Sequence, residues 1–224
     1  MEKIDLHIHT AYSDGNPSIN KAIKTAREKN LTYLAITDHF TTSWKQSIID
    51  TVNFENFGQY IAGIKKERES ARFNCLVGIE IDMGSNWADI KRFPFNQFEL
   101  LLFEYVDSIV TLKRLCELIQ ELEIKPIKAL AHNSYVKMAN MEMFSSLLVE
   151  NNIYFELNSR YITHPDNNLI TRLKILKDHG ITFTIGSDAH IESRIGDTKA
   201  AVAILEKIDG FENVIDLSFV KFNL

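Results

Sequence analysis

The sequence predicts an α/β fold with a mostly parallel sheet, and two observations support this prediction. Short apolar runs rich in β-branched and aromatic residues alternate about seven times with amphipathic segments. No linker rich in Ser, Gly or Pro and no internal repeat divides the 224 residues, so one domain over residues 1–224 is expected. The alternation alone leaves an open sheet and a closed barrel as alternatives.

The first apolar run favours the barrel. A strand inside an open parallel sheet is apolar at nearly every residue. In Lys3–His9, however, Asp5, His7 and His9 share one face, and the residues between them are apolar. A polar face that points inward fits a barrel whose interior leads to a functional site.

Seven strands are expected from the apolar runs. They are placed at Lys3–His9, Thr32–Asp38, Cys75–Asp82, Phe98–Tyr105, Ile127–His132, Ile153–Asn158 and Thr182–Ser187. Each run has between four and eight residues, is rich in strand-forming residues and is bounded by polar segments, as is typical of strands.

Six helices are expected between and after these strands, because apolar residues recur there at helical spacing. They are placed at Pro17–Asn30, Phe54–Phe73, Ser108–Leu122, Met141–Asn151, Asn168–His179 and Asp197–Lys207. Pro17 suits the first turn of its helix, and Gly180 suits a C-terminal cap after the fifth helix. Residues Met83–Gln97 show no clear period and are predicted to form a loop.

Charge and composition exclude several classes of protein. The chain has 25 Lys and Arg residues against 30 Asp and Glu residues and lacks a basic block, so neither long nucleic acid nor a membrane is an expected partner. We find no signal peptide, and no apolar run approaches the ~18 residues of a membrane span. The two cysteines, Cys75 and Cys116, have no metal-like spacing, which indicates a reducing compartment and hence the cytoplasm.

Residues that can bind metal ions end nearly every predicted strand. They are His7, His9, Asp38, His39, Glu80, Asp82, Glu104, His132, Asp188 and His190. In α/β barrels the carboxyl ends of the strands meet at one rim, where the chemistry takes place. A lone histidine there is usually a hydrogen-bonded core residue, but so many ionisable groups would repel and desolvate one another without a counter-ion. The joint pattern therefore predicts bound divalent cations.

Imidazole and carboxylate ligands without thiolates indicate Zn²⁺, Mn²⁺ or Fe²⁺. The candidate ligands are too many for one ion, so two or three ions are expected, with a bridging carboxylate. Such sites activate water and bind the oxygens of phosphoryl groups. Asp38 and Asp82 are expected to orient neighbouring ligands.

Five segments together resemble the PHP (polymerase and histidinol phosphatase) superfamily. They are Asp5-Leu6-His7-Ile8-His9-Thr10 with Ser13-Asp14-Gly15, Ile36-Thr37-Asp38-His39, Gly78-Ile79-Glu80, Ala131-His132, and Gly186-Ser187-Asp188-Ala189-His190. They occur in the family's order and span most of the chain. The resemblance implies a single-domain, distorted (β/α)7 barrel that holds up to three metal ions and hydrolyses phosphoesters.

The resemblance also implies how the ligands are shared among the ions. The first ion takes His7, His9, Glu80 and Asp188; the second takes Glu80 and His132; the third takes Asp14, His39 and His190. The family's second ion usually has a further histidine from the fourth strand, which this chain lacks. Glu104 is the nearest substitute and is predicted as a metal ligand. The alternative is a solvated Glu104 with a weak or absent second ion.

The expected reaction is hydrolysis of small phosphate monoesters, in which metal-activated hydroxide attacks phosphorus. The resemblance implies catalytic roles for His39, His190 and Asp188. Predicted substrate contacts come from Asn158 and Arg160, at the end of the sixth strand, and from His164 in the following loop. For His164 a plain surface position is the alternative. Trp44, Lys137 and Arg194, in loops after motif strands, are weaker candidates to line the pocket.

Three other functions remain open on the sequence alone. The same metal set fits a nuclease or phosphodiesterase that acts on nucleotides or short oligonucleotides. It also fits a metal-dependent amidohydrolase, because two-metal barrels support that chemistry. A non-enzymatic binding module with a degenerate site is the third alternative. The oligomeric state is not predicted.

Overall fold

The computed structural model describes residues 2–132, 140–220 and 222. The strands of this described part are β1 (Ile4–Asp5), β2 (Tyr33–Ile36), β3 (His39–Phe40), β4 (Cys75–Asp82), β5 (Leu100–Glu104), β6 (Ile127–Leu130), β7 (Tyr154–Asn158) and β8 (Phe183–Gly186). Its α-helices are α1 (Ile19–Glu28), α2 (Phe57–Ala71), α3 (Trp87–Arg92), α4 (Ile109–Glu121), α5 (Met141–Glu150), α6 (Asn167–Asp178) and α7 (Lys199–Ile208). Strand and helix alternate along most of the chain, which confirms the α/β prediction.

The strands form one parallel sheet that nearly closes into a barrel. Its order is β1-β2-β4-β5-β6-β7-β8, with β3 paired to β4. The segment after β1 meets the end of β8, because Leu6 N–H donates to the Ile185 carbonyl and Asp188 N–H donates to the His7 carbonyl, both at 2.8 Å. These bonds bring the first and last strand ends together, so the predicted barrel is confirmed and the open sheet is excluded.

The predicted second strand, Thr32–Asp38, is interrupted in the structure. β2 ends at Ile36, and β3 begins at His39 and pairs with Glu80 of β4. At the break, Asp38 N–H donates to the Tyr60 hydroxyl at 3.1 Å instead of to a neighbouring strand. The interruption is invisible in the sequence because the Tyr60 hydroxyl comes from a distant helix.

The prediction of a loop over Met83–Gln97 is wrong. This stretch contains α3 and a 3₁₀ turn at Phe95–Gln97. The side chain of Asn86 caps α3 by accepting a hydrogen bond from Ala88 N–H at 2.9 Å. With six residues and one buried side chain, Ile90, the helix is too short to show a helical period.

Helix termini follow local chemistry elsewhere. α1 begins at the residue after Ser18, and the Ser18 hydroxyl caps it. Pro17 therefore precedes the helix, whereas the prediction placed it in the first turn. Gly180 follows α6 with φ +75°, and its N–H donates to the Lys177 carbonyl at 2.8 Å, which confirms the predicted cap.

The barrel places apolar residues under the helices and polar residues at the carboxyl ends of the strands. All eight residues of β4 are buried, and so are Asp5, His7 and His9 on the inner face predicted for the first strand. No helix among residues 2–132, 140–220 and 222 is long and apolar enough to cross a membrane. The single-domain assignment to residues 1–224 stays a prediction.

Candidate metal centre

The carboxyl ends of the strands bring together the residues that the sequence singled out. Among the described residues, four overlapping groups offer ligand atoms that lie within 4.8 Å of one another. These groups are His9, Asp14, His39 and His190; His7, His9 and Asp188; His7, Glu80 and His132; and His39, Glu80 and Glu104. Every predicted metal ligand belongs to at least one group, because parallel strands of a barrel end at the same rim.

Glu80 lies in the middle of the cluster. Its Oε1 is 3.1 Å from His132 Nε2, and its Oε2 is 3.0 Å from His39 Nδ1. The same Oε2 is 3.4 Å from His7 Nε2 and 3.5 Å from His9 Nε2. One carboxylate thus faces four imidazoles, which is the arrangement that a bridging ligand requires.

Two aspartates of the cluster, Asp188 and Asp14, lie on either side of His7 and His9. Asp188 Oδ1 is 3.2 Å from His9 Nε2, and Asp14 Oδ2 is 3.1 Å from His190 Nε2. His7 Nε2 and His9 Nε2 are 3.1 Å apart. Imidazole nitrogens and carboxylate oxygens therefore approach one another from several sides.

Unpaired buried atoms show that this cluster fits metal ions. The described residues contain five buried side-chain N or O atoms without a hydrogen-bond partner, and three of them are His39 Nδ1, Glu80 Oε1 and Glu80 Oε2. Buried polar atoms are nearly always satisfied in proteins. A divalent cation bound by these imidazole and carboxylate groups would satisfy all three atoms, and this donor set suits Zn²⁺, Mn²⁺ or Fe²⁺.

The electrostatics favour ionised carboxylates in the cluster. Burial alone would raise the pKa of Glu80, but His7, His39 and His132 outweigh it and hold that pKa well below its usual range. Burial likewise opposes ionisation of Asp188, and the hydrogen bond with His9 overcomes it and lowers that pKa. Ionised carboxylates are the form that binds cations.

The histidines differ from one another. Burial lowers the pKa of His9, which keeps its imidazole neutral and its lone pair free for a metal ion. Burial would also lower the pKa of His39, but the charge of Glu80 and the contact with Glu104 outweigh it and raise that pKa to about 9. A cation bound at His39 therefore has to replace a proton.

Glu156 is a buried carboxylate in the centre that the sequence analysis missed. Its Oε1 accepts a hydrogen bond from His7 Nδ1 at 2.8 Å, and its Oε2 accepts one from His132 N–H at 2.7 Å. It therefore fixes the ring of one candidate ligand and the backbone of another. The available signal was its place in β7, two residues before Asn158 and hence on the same face.

Gly186 leaves the room that Glu156 needs. A Cβ atom at this position would overlap Glu156 Oε1 and would lie 2.5 Å from the His7 Cβ. The glycine of the last motif is thus required by the close approach of β7 and β1 to the end of β8. This gives a packing reason for a residue that the sequence showed only as part of a motif.

Two candidate ligands have left-handed backbone conformations. His132 has φ +59° and Asp188 has φ +52°, and each lies shortly after the end of a strand. Such conformations cost about 1–2 kcal/mol in a residue that has a Cβ. The hydrogen bonds of the two N–H groups, to Glu156 Oε2 and to the His7 carbonyl, hold these residues in place.

The two acidic residues expected to orient ligands do so only through loops. Asp38 accepts hydrogen bonds from Thr10 N–H at 2.7 Å and from the Ser13 hydroxyl at 2.6 Å, and so it fixes the turn that carries Asp14. Asp82 accepts hydrogen bonds from the hydroxyls of Thr41 and Ser43 at 2.7 and 2.6 Å. These hydrogen bonds tie loops together at the rim.

Glu104 lies in a ligand group, but both of its oxygens contact a lysine, and its role as a metal ligand stays a prediction. It is 2% exposed, so it is not solvated. Lys45 Nζ donates to its Oε1 at 2.7 Å and to its Oε2 at 2.8 Å. Glu104 lies on the His39 side of Glu80, in a different ligand group from His132. Because the Lys45 ammonium donates to both of its oxygens, Glu104 is neither solvated nor free of a cation.

The predicted substrate residues are divided by the structure. Arg160 lies at the rim, where a guanidinium nitrogen is 3.2 Å from Asp188 Oδ2 and 3.1 Å from His190 Nδ1. Asn158 is fully buried, donates to Glu156 Oε1 at 3.1 Å and accepts from Arg160 N–H. Burial therefore argues against a substrate contact for Asn158 and indicates support of Glu156.

His164 is exposed and does not belong to any of the ligand groups found among the described residues. This matches the surface position considered as its alternative. Trp44 is exposed on the turn that carries Lys45, and Lys137 lies outside the described residues. A cavity of about 440 Å³ adjoins Asp188 and His190, and Arg160, Arg194 and Lys199 line it.

Comparisons with known proteins agree with this geometry. A family model described as the PHP domain matches residues 5–160, which is more than half of the chain. The final motif, with Asp188 and His190, lies beyond the matched residues.

Two curated relatives cover most of this chain. A probable phosphatase of Tolumonas auensis is 22% identical over 92% of this chain and 86% of its own length. The DNA polymerase/3′-5′ exonuclease PolX of Bacillus subtilis is 24% identical over 92% of this chain, but the match spans 37% of that protein.

One solved structure shows the shared fold. The histidinol phosphate phosphatase of Lactococcus lactis, in complex with zinc, L-histidinol and phosphate, has a TM-score of 0.62 and 16% identity. The likeness covers 92% of this chain and 94% of that chain. Because the family model spans the strands that carry most candidate ligands, this chain belongs to the PHP domain family of metal-dependent phosphoesterases.

Proposed function

We propose that this protein is a metal-dependent phosphatase that hydrolyses small phosphate monoesters. The observation that carries the proposal is the set of unpartnered buried atoms of His39 and Glu80 beside a cavity lined by three cationic side chains. Metal ligands and phosphate-binding cations thus share one rim. The names of two relatives, a probable phosphatase and a histidinol phosphate phosphatase, support the same reaction class.

The metal ligands in this proposal are His7, His9, Asp14, His39, Glu80, His132, Asp188 and His190. They would hold two or three ions of Zn²⁺, Mn²⁺ or Fe²⁺, with Glu80 between two of them. When bound, such ions supply a water molecule of lowered pKa and neutralise phosphoryl oxygens. Glu156 keeps the His7 ring oriented for ligation through its hydrogen bond to Nδ1.

Arg160 is the proposed phosphate contact. Its guanidinium reaches from the rim to Asp188 and His190, and its side chain is 48% exposed on the cavity side. A planar guanidinium can bind two phosphoryl oxygens at once, which would orient a phosphate against the ligand cluster. Arg194, which is paired with Asp197 at 3.0 Å, and Lys199 also line the cavity and would contact the substrate's remaining polar groups.

His190 is a proposed metal ligand that also lines the substrate cavity. It lies at the edge of the cluster and lines the cavity, whereas His39 is buried deeper. The contact with Asp14 outweighs burial and raises the pKa of His190, so a cation bound there has to replace a proton. Asp188 accepts the Arg160 hydrogen bond and would keep that guanidinium beside the phosphate.

The dimensions favour a small substrate. The cavity holds about 440 Å³ and is bounded by the loop after β7 and the segment around Arg194. Pockets of this volume suit metabolite-sized ligands. The overall charge of −5 gives no attraction for a long nucleic acid. A cytoplasmic location stays a prediction from cysteine usage.

The test combines metal content with turnover. The full chain is purified, loaded with Mn²⁺, and assayed on p-nitrophenyl phosphate and on a panel of small phosphate esters. His7→Ala and Asp188→Ala are expected to lose both bound metal and activity. His179→Ala, an exposed histidine that follows α6, is the matched control and is expected to retain both. Full metal content and activity in His7→Ala and Asp188→Ala would contradict the proposal.

A phosphodiesterase acting on nucleotides is the second candidate, and the similarity to the 3′-5′ exonuclease PolX favours it. The same ligand set would serve a diester. Release of nucleoside monophosphates from short oligonucleotides, without turnover of monoesters, would replace the phosphatase proposal with this one.

A further inference from the structure

The pair formed by Lys45 and Glu104 is unlike any other contact in the metal centre. Lys45 belongs to the 3₁₀ turn Trp44–Ser47 that follows β3, and Glu104 ends β5. The ammonium donates to both carboxylate oxygens, at 2.7 and 2.8 Å. The two side chains are 14% and 3% exposed. The protein therefore places one of its own cations inside the ligand cluster.

Glu104 is otherwise well placed to bind an ion. Its Oε1 is 3.5 Å from His39 Nδ1, and together with Glu80 these residues form one of the four ligand groups. His39 Nδ1 and both oxygens of Glu80 lack hydrogen-bond partners. Two ligands of this group, His39 and Glu80, thus have atoms without a hydrogen bond. Both oxygens of the third ligand, Glu104, accept hydrogen bonds from Lys45.

The other cation near the ligands contacts them less fully. Arg160 reaches one oxygen of Asp188 at 3.2 Å and is half-exposed, so Asp188 keeps Oδ1 turned towards His9. Lys45, in contrast, donates to both oxygens of Glu104. Its ammonium is also held by the ring of Tyr105, with Nζ 4.5 Å from the ring centroid.

Lys45 contacts both oxygens of Glu104, so a divalent ion could bind this carboxylate only beside the ammonium. The repulsion between an ammonium and a divalent ion a few ångströms apart is large where solvent is excluded. Lys45 is held by two hydrogen bonds to Glu104, at 2.7 and 2.8 Å, and its side chain is 14% exposed. An ion at this group would have to displace a buried, hydrogen-bonded partner.

The geometry points to Lys45 as a positioning residue that withholds Glu104 from metal binding and closes the His39–Glu80–Glu104 group to an ion. This inference rests on the proposed function, because it requires that the remaining groups bind divalent cations. The native centre then uses His39 for the group that contains Asp14 and His190. Removal of the ammonium opens a further ion site that this chain otherwise keeps shut.

The experiment counts bound ions and does not depend on activity. Metal-free full-length protein is titrated with Mn²⁺ by calorimetry, and metal content is measured after desalting. The variants are Lys45→Met, Glu104→Gln and their combination. Lys91→Met is the matched control, because Lys91 also contacts both oxygens of a glutamate, Glu121, at 2.8 Å but on the exposed surface.

Lys45→Met is expected to bind about one Mn²⁺ more per chain than the native protein, since a buried carboxylate is freed. The combined variant and Lys91→Met are expected to match the native count. Glu104→Gln alone is also expected to match it, which tests the inference even if Lys45→Met does not fold.

Two results would overturn the inference. One is a folded Lys45→Met protein with an unchanged ion count. The other is the loss of an ion in Glu104→Gln, which would make Glu104 a ligand of the native centre. A native protein that binds no Mn²⁺ would instead contradict the proposed function, so the two failures are distinguishable.

Discussion

Two glutamates at opposite ends of the barrel strands differ in how their charge is satisfied. Glu99, just before β5, accepts hydrogen bonds from Arg68 at 2.9 and 2.7 Å and from Val77 N–H at 2.8 Å. Glu80, near the end of β4, has no hydrogen-bond partner on either oxygen and faces four imidazoles. Both oxygens of Glu99 accept hydrogen bonds, and neither oxygen of Glu80 does.

The difference separates a structural ion pair from a site built for a ligand. Arg68 also donates to the Cys75 carbonyl at 3.1 Å, so the Glu99 network ties α2 to β4 and β5. A buried charge of this kind serves the fold, and its loss leaves the partner unpaired. The open charge of Glu80 has a high desolvation cost without a cation, which is tolerated where function requires it.

The largest expected effect on activity comes from a substitution at Glu80, the glutamate without hydrogen bonds. Glu80→Gln removes the charge that faces four histidines and should lower kcat/KM for a phosphate ester by about 10³-fold, since several kcal/mol of metal-based stabilisation are lost. Metal content should fall in parallel. The midpoint of thermal unfolding of the metal-free protein should change little. Steady-state kinetics, metal analysis and calorimetry measure these three quantities.

The control is Glu99→Gln, the same substitution at the glutamate that accepts hydrogen bonds. It should retain the native metal content and turnover. If Glu80→Gln kept its metal and its activity, Glu80 could not be the bridging carboxylate.

A smaller effect is expected from the carboxylate that supports the ligands. Glu156→Gln keeps the size of the side chain but weakens its acceptance of the hydrogen bond from His7 Nδ1. Metal affinity should fall by about 10–100-fold, as is typical when the hydrogen-bond partner of a metal-binding histidine is altered. Excess Mn²⁺ should restore most of the turnover, which distinguishes positioning from chemistry.

The readout for Glu156→Gln is the Mn²⁺ concentration that gives half-maximal activity. Glu150→Gln, at the exposed end of α5, is a suitable control. An unchanged metal requirement would show that the His7–Glu156 contact has no part in orienting the ligand.

The smallest effect on function, and one confined to stability, is expected from a substitution at Arg68, the cation paired with Glu99. Arg68→Met leaves the Glu99 carboxylate without its cation and should reduce the free energy of unfolding by about 2 kcal/mol, below the value for a fully buried pair because Glu99 is 30% exposed. Chemical denaturation measures this loss. Metal content should stay native, and a parallel loss of metal would show that the two ends of the barrel are coupled.

The sequence predicted the fold and most of the cluster for identifiable reasons. The alternation of strand and helix is a local pattern, and the position of a residue at a strand end follows from it, so residues as distant as His7 and Asp188 could be assigned to one rim. α3 was missed because six residues are too few to show a period. Glu156 was missed because a single glutamate in β7 has no motif around it.

The environment of Glu104 could not be predicted from its place in the chain. Its position at the end of the predicted fourth strand correctly put it beside the other ligands. Lys45, however, comes from a turn fifty-nine residues earlier, and no periodic pattern links a turn lysine to a strand-end glutamate. The same holds for Asn158, whose role depends on which neighbour takes its amide.

The sequence by itself determined the alternation of elements, the inward face of the first strand and the chemical identity of the ligand set, because these depend on local period and residue type. Only the tertiary structure decided which carboxylates stay open and which are paired. Glu80, Glu99, Glu104 and Glu156 are the same residue type in or next to strands. Contacts from distant segments leave the first without a hydrogen bond and supply hydrogen bonds to the other three. Pairing depends on distances in space, which the linear order of residues does not contain.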